Sequence, residues 1–98
     1  MSGGNWKEMF EAACSGDMEL LEYHVERGID VNYAHPEYLS TPLVACIAAG
    51  QTAAALYLLA HGAIPTLGSE FEAMTPLQAA RAAGDTAVLQ RLAALGVV

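Results

Sequence analysis

The chain repeats itself every 34 residues. Gly16, Gly50 and Gly84 stand 34 positions apart, and so do Gly28, Gly62 and Gly96. Thr41-Pro42-Leu43 returns at the same interval as Thr75-Pro76-Leu77. A period of this length marks a chain assembled from supersecondary units that cannot bury their apolar faces alone and must stack on one another.

Within each unit the residues call for two short helices. Thr before Pro suits a helix start, because the hydroxyl can accept an orphan backbone N–H and proline at the first position loses no hydrogen bond. The pattern predicts helices over Thr41–Ala49 and Thr52–His61 in the second unit. It predicts Thr75–Ala83 and Thr86–Leu95 in the third, and Asn5–Ser15 and Asp17–Arg27 in the first. Each is closed by one of the periodic glycines, which take the left-handed conformation without a Cβ penalty. The segments Ile29–Ser40 and Ala63–Met74 hold Pro36, Pro65 and polar residues with no helical period, and read as loops. The expected class is all-α, with 1–98 as a single domain and repeats at about 5–34, 35–68 and 69–98.

These residues resemble the ankyrin repeat, whose family pattern runs roughly TPLHxAAxxGHxxVVxLLLxxGADVN. The second unit reads TPLVACIAAGQTAAALYLLAHGAIPT and the third TPLQAARAAGDTAVLQRLAALGVV. The first reads KEMFEAACSGDMELLEYHVERGIDVN, where AACSGD and GIDVN follow the pattern. The resemblance covers about Asn5 to Val98. It implies an ankyrin solenoid of three repeats with two projecting finger loops. It also implies protein binding by the fingers and the concave face of the first helices. Two departures stand out. Val44 and Gln78 replace the histidine that ties adjacent repeats in the family, and Gln78 is expected to supply part of that tie. The second unit ends AIPT instead of ADVN. A tetratricopeptide array shares the period, but its short turns do not accommodate twelve-residue segments between Gly28 and Thr41 or Gly62 and Thr75.

End repeats must be polar where middle repeats are buried. At 34-residue spacing, Ile47 becomes Arg81 and Tyr57 becomes Arg91 in the last unit. Ala45 is matched by Glu11, and Leu58 by His24, in the first. These replacements predict caps at both ends. With the chain stopping two residues after Gly96, they predict a finished three-repeat array.

The charge of −7 argues against nucleic acid as a partner, since an acidic domain repels phosphate. Residues 1–34 hold −5 of it, which favours a partner with a basic surface. No apolar run reaches the ~20 residues of a membrane span. The N-terminus lacks the basic-then-apolar pattern of a secretory leader, so the expected compartment is cytoplasmic. Cys14 and Cys46 form no CxxC pair and are expected reduced and unbridged.

No constellation points to an enzyme or a cofactor. His24, His35 and His61 share no repeat position, so no metal site is expected. The glycines are spaced for helix ends, not for cradling phosphate. Glu19, Glu22 and Glu26 form a helical stripe best read as a solvated face. Trp6 is expected to cover the core of the first repeat. The binding candidates are on the loops: Tyr33, His35, Glu37 and Tyr38 in the first, Glu70, Phe71 and Glu72 in the second. Aromatic rings beside carboxylates have the composition of contact patches. At least two of His35, Tyr38 and Phe71 are expected to face solvent, with Tyr38 and Phe71 contributing little to the fold. The alternatives are a homo-oligomeric scaffold, using Ala87, Ala94 and Leu95 on the last helix, or a small-molecule binder or enzyme. A monomer or weak homo-oligomer is expected.

Overall fold

The computed structural model describes residues 3–97, so Met1, Ser2 and Val98, included in the expected range 1–98, lie outside the described residues. The described residues form six helices and no strand: α1 (Gly3–Ser15), α2 (Met18–Glu26), α3 (Pro42–Ala48), α4 (Thr52–Ala60), α5 (Pro76–Ala83) and α6 (Thr86–Ala94). The all-α expectation holds, with ends within a few residues of those read from the period.

The helices pair as α1 with α2, α3 with α4 and α5 with α6. The first members pack in a row, α1 on α3 and α3 on α5, and the second members follow as α2 on α4 and α4 on α6. The result measures 36 × 24 × 21 Å. One apolar cluster runs through it, from Trp6, Met9 and Leu21 through Leu43, Ile47 and Leu58 to Val88 and Leu92. None of these short helices reaches the ~12–15 residues at which isolated helices become marginal in water, apart from α1, so burial of this shared face holds them.

The helix ends show why the period exists. All six periodic glycines have positive φ, from 65° at Gly84 to 100° at Gly62. Asp17 and Asp85 cap α2 and α6 by accepting from the backbone of Leu20 and Val88. Thr75 and Gln78 form a reciprocal capping box at α5. Gln78 is therefore engaged within its own repeat, not in the tie between repeats expected of it. Thr41 departs too: its hydroxyl caps nothing and is buried without a hydrogen-bond partner. With Val44 at the third helical position no reciprocal side chain exists, and the Thr41 N–H instead donates to Ser69 Oγ at 3.1 Å. A cross-repeat tie comes from Asn32 of the GIDVN stretch. Its amide donates to the Gly62 carbonyl at 2.9 Å and accepts from the Ile64 N–H at 2.8 Å.

Three of the four end replacements behave as caps. Ile47 is fully buried while Arg81 is exposed, Tyr57 is half-buried while Arg91 is exposed, and Ala45 is buried while Glu11 is exposed. His24 does not. It is only 5% exposed, and its Nε2 bonds Glu8 Oε1 at 2.7 Å, tying α2 to α1. Its partner carboxylate reaches solvent while the ring fills the place that Leu58 fills one repeat later.

Candidate functional site

A groove of about 430 Å³ opens between the two long loops and the first-row helices. Phe10 and Cys14 of α1 and Ala45 of α3 line it, with Glu37, Tyr38, Leu39 and Ser40 of the first loop and Phe71 and Glu72 of the second. Four of the seven binding candidates thus meet at one surface. Glu70 lines a neighbouring groove of about 220 Å³ with Asn32, Leu39 and Thr41. Tyr33 and His35 lie outside both, on the aromatic cluster beside the main groove.

The loops are joined before they meet the groove. The Phe71 N–H donates to the Leu39 carbonyl at 2.8 Å. Ser40 Oγ lies 2.9 Å from both carboxylate oxygens of Glu72, and Ser69 Oγ donates to the same carboxylate. The second loop closes on itself through a Ser69–Met74 bridge. Leu39 and Ala73, which differ by 34 positions, have φ of 55° and 56°, a region glycine enters freely and other residues rarely do. This shared left-handed residue at the 34-residue interval aligns the two loops, so residues 37 and 71 correspond, and so do 38 and 72.

The correspondence sorts the candidates. At the inward position, Tyr38 is half-buried, edge-on to Trp6 at 5.3 Å and to Phe10 at 5.1 Å. Glu72, at the same position of the second loop, is half-buried against the serines. At the outward position, Glu37 is exposed and pairs with Lys7 at 2.5 Å, while Phe71 is 75% exposed. His35 is half-buried among Trp6, Tyr33 and Tyr38, and its Nδ1 accepts from the Glu37 N–H at 3.1 Å. Trp6 is buried, stacks on Phe10 at 5.0 Å and donates to the Tyr33 carbonyl at 2.9 Å. It covers the first repeat's core as expected. Of the three residues expected to face solvent, only Phe71 does so fully. Tyr38 and His35 are committed to the cluster around Trp6, because a terminal helix needs apolar cover to stay docked.

Leu39 adds an apolar lip, 47% exposed beside Phe71. The groove-lining residues Phe10, Cys14, Ser40 and Ala45 were not among the binding candidates read from the sequence. The signal for Phe10, Cys14 and Ala45 was the expectation that the first helix of each pair contributes to the contact face.

The electrostatics are one-sided. The Lys7 ammonium beside Glu37 holds that carboxyl below its ordinary range, and Glu37 raises Lys7 in return. Burial, followed by the Glu72 and Glu11 carboxylates, pushes the Cys14 thiol up to about 11. Burial pushes Cys46 up further still, and its Sγ donates to the Leu43 carbonyl at 3.2 Å. Both cysteines are free thiols, and these shifts leave neither as a thiolate near neutral pH. Among the described residues, no group of three or more His, Cys, Asp or Glu stands where it could hold a metal ion, and no helix is long and apolar enough to cross a membrane.

No family model matches the chain. Over 87 residues it is 34% identical to the ARF GTPase-activating protein GIT1 of Homo sapiens, and to the proteins of that name from Mus musculus and Rattus norvegicus. The match takes in 88% of this chain and 11% of each relative. The chain thus spans about a tenth of the length of the curated relatives it matches.

Proposed function

We propose that this chain is an ankyrin-repeat protein of three repeats whose function is to bind a protein partner through the groove between its loops. The 34-residue period, the two rows of paired helices and the left-handed residues at equivalent positions 39 and 73 of the two loops support the repeat assignment. The observation that carries the function is Phe71. A phenylalanine three-quarters exposed, beside a half-exposed leucine at the lip of an apolar groove, is an unusual placement unless another surface covers it. The relatives are named as GTPase-activating proteins and match over a small part of their length, as a module shared among larger proteins would. The role is binding and not catalysis. Cys14, the thiol nearest the groove, is held protonated, and the carboxylate of Glu72 is engaged by serines. The acidic surface suits a partner with a basic face, in the cytoplasm.

The test is a photo-reactive phenylalanine analogue placed at position 71, or at the exposed Gln90 of α6, with irradiation in the cells the protein comes from. Position 71 gives a discrete cross-linked protein and position 90 does not. Cross-linking from 90 and not from 71 overturns the groove as the contact face.

A second reading, self-association through α6, has one observation in its favour. Leu95 is an exposed large apolar residue, adjoining exposed Ala94 on the last helix, with Ala87 also exposed. Sedimentation equilibrium decides it: a monomer at high micromolar concentration rules it out.

A further inference from the structure

The groove's charges narrow the kind of partner it fits. Its walls are apolar: Phe10, Tyr38, Leu39 and Phe71. Around them stand carboxylates with different degrees of compensation. Glu37 is matched by Lys7. Glu72 is held by two serine hydroxyls, which satisfy hydrogen bonds and neutralise no charge. Glu11 is exposed on α1 and makes no ion pair among the described residues. The chain has four lysines and arginines, and none of them lines the groove. Arg27 lies over the Tyr23 ring at 4.2 Å, and Arg81 and Arg91 belong to α5 and α6. Two negative charges are therefore left without a counter-charge at an apolar surface. Glu72 lines the groove itself, and Glu11 stands three residues before groove-lining Cys14, one turn along the same face of α1.

We propose that the occupant of the groove is an amphipathic, cationic segment of the partner protein. It sets one bulky apolar side chain against Phe71, Leu39, Tyr38 and Phe10, and a lysine or arginine against Glu72 and Glu11. This rests on the groove being the binding face, as inferred above. A carboxylate offers about four lone-pair sites, so Glu72 can receive a cation while keeping its serine donors. The serines hold it in place beforehand, so little side-chain freedom is lost on binding. A partner segment bearing an acid at the same place would meet two like charges beside an apolar wall, where screening by water is weak.

The experiment uses the whole chain and three synthetic peptides of equal length. They share one leucine and tryptophan pattern and carry lysine, glutamine or glutamate at the remaining positions. Binding is followed by fluorescence anisotropy and mapped by amide chemical shifts. The lysine peptide binds at least tenfold more tightly than the glutamine peptide, and the glutamate peptide more weakly than either. Its shifts centre on residues 37–40 and 70–72. Glu11→Gln weakens the lysine peptide several-fold and leaves the glutamine peptide unchanged, whereas Phe71→Ala weakens both about tenfold. Equal binding of the lysine and glutamine peptides in the groove overturns the charge inference and leaves the groove as the binding face. Binding of the lysine peptide with shifts on Glu19, Glu22 and Glu26, unaffected by Phe71→Ala, overturns the inference by placing cation recognition on α2. Failure of all three peptides to bind also overturns it, and cross-linking from position 71 then decides the groove reading separately.

Discussion

Tyr38 and Glu72 occupy equivalent positions in the two loops, 34 residues apart and each just before a left-handed residue, and both side chains face inward. One is anchored by the rings of Trp6 and Phe10, the other by the hydroxyls of Ser40 and Ser69. Their outward neighbours, Glu37 and Phe71, are left on the surface. At these two positions each loop thus carries one carboxylate and one aromatic ring in opposite order, and the order decides which ring supports the fold and which is free to bind.

Tyr38→Ala and Phe71→Ala therefore separate. Tyr38→Ala removes edge-on contacts with Trp6, Phe10 and His35, each aromatic pair being worth about 0.5–1.5 kcal/mol, and is expected to lower stability by about 2 kcal/mol. Phe71→Ala is expected to change stability by less than about 0.5 kcal/mol, as an exposed substitution does. Urea denaturation of the two variants measures both. Equal losses would mean that Phe71 is packed more firmly than its exposure indicates.

The reading of Tyr38 and Phe71 as two similar loop-tip aromatics is corrected by this arrangement. The helices and their glycine stops were legible, because each leaves a mark at the 34-residue period, and so was the cap at Thr75; the cap expected at Thr41 is absent, and those at Asp17 and Asp85 were not read. The direction of the loop side chains was not. It depends on the left-handed turn at Leu39 and Ala73, which glycine would have advertised and leucine and alanine conceal. His24 was misread for a related reason: a histidine looks like a surface residue until Glu8, sixteen positions earlier, is seen to be its partner. Gln78 looked like a substitute for a histidine between repeats, but a glutamine three residues after a threonine is equally a capping box.

Ala73→Gly is expected to stabilise the protein slightly. A non-glycine residue in the left-handed region carries about 1–2 kcal/mol of steric cost, and glycine adds about 0.5–1 kcal/mol of unfolded-state entropy. The difference favours glycine by up to about 1 kcal/mol at an exposed alanine that packs little. A higher urea midpoint with an unchanged slope is the predicted result. A lower midpoint would show that the turn is not strained.

Ser69→Ala should cost about 1–3 kcal/mol. The Thr41 N–H donates to Ser69 Oγ in a buried setting, and its loss leaves a buried donor unsatisfied. The same change frees one side of Glu72, so the groove loses order along with stability. Ser40→Ala leaves the Thr41 N–H satisfied and is expected to cost less. Comparing the two by urea denaturation tests whether the buried donor is the larger contribution.

Alkylation reads the environment of Cys14 directly. The ordinary thiol value of 9.0 is raised to about 11, chiefly by burial and then by Glu72 and Glu11. A raised value means that the neutral thiol persists to higher pH in the folded state. At pH 8 the thiolate is then about a hundredfold scarcer than for a free cysteine, since each unit is a factor of ten. Iodoacetamide is expected to react slowly at pH 8, with the rate climbing through pH 10 and 11, and somewhat faster in Glu11→Gln. A rapid reaction at pH 8 in the folded protein would contradict this placement.

The most direct test is the affinity of the partner identified by cross-linking for the wild type and for Phe71→Ala, measured by titration beside a thermal melt of each. An aromatic anchor at an interface contributes about 2 kcal/mol or more, so binding should fall by at least about tenfold while the melting temperature stays unchanged. Unchanged affinity with an unchanged melt would contradict the central claim that the groove between the loops is the face by which this protein acts.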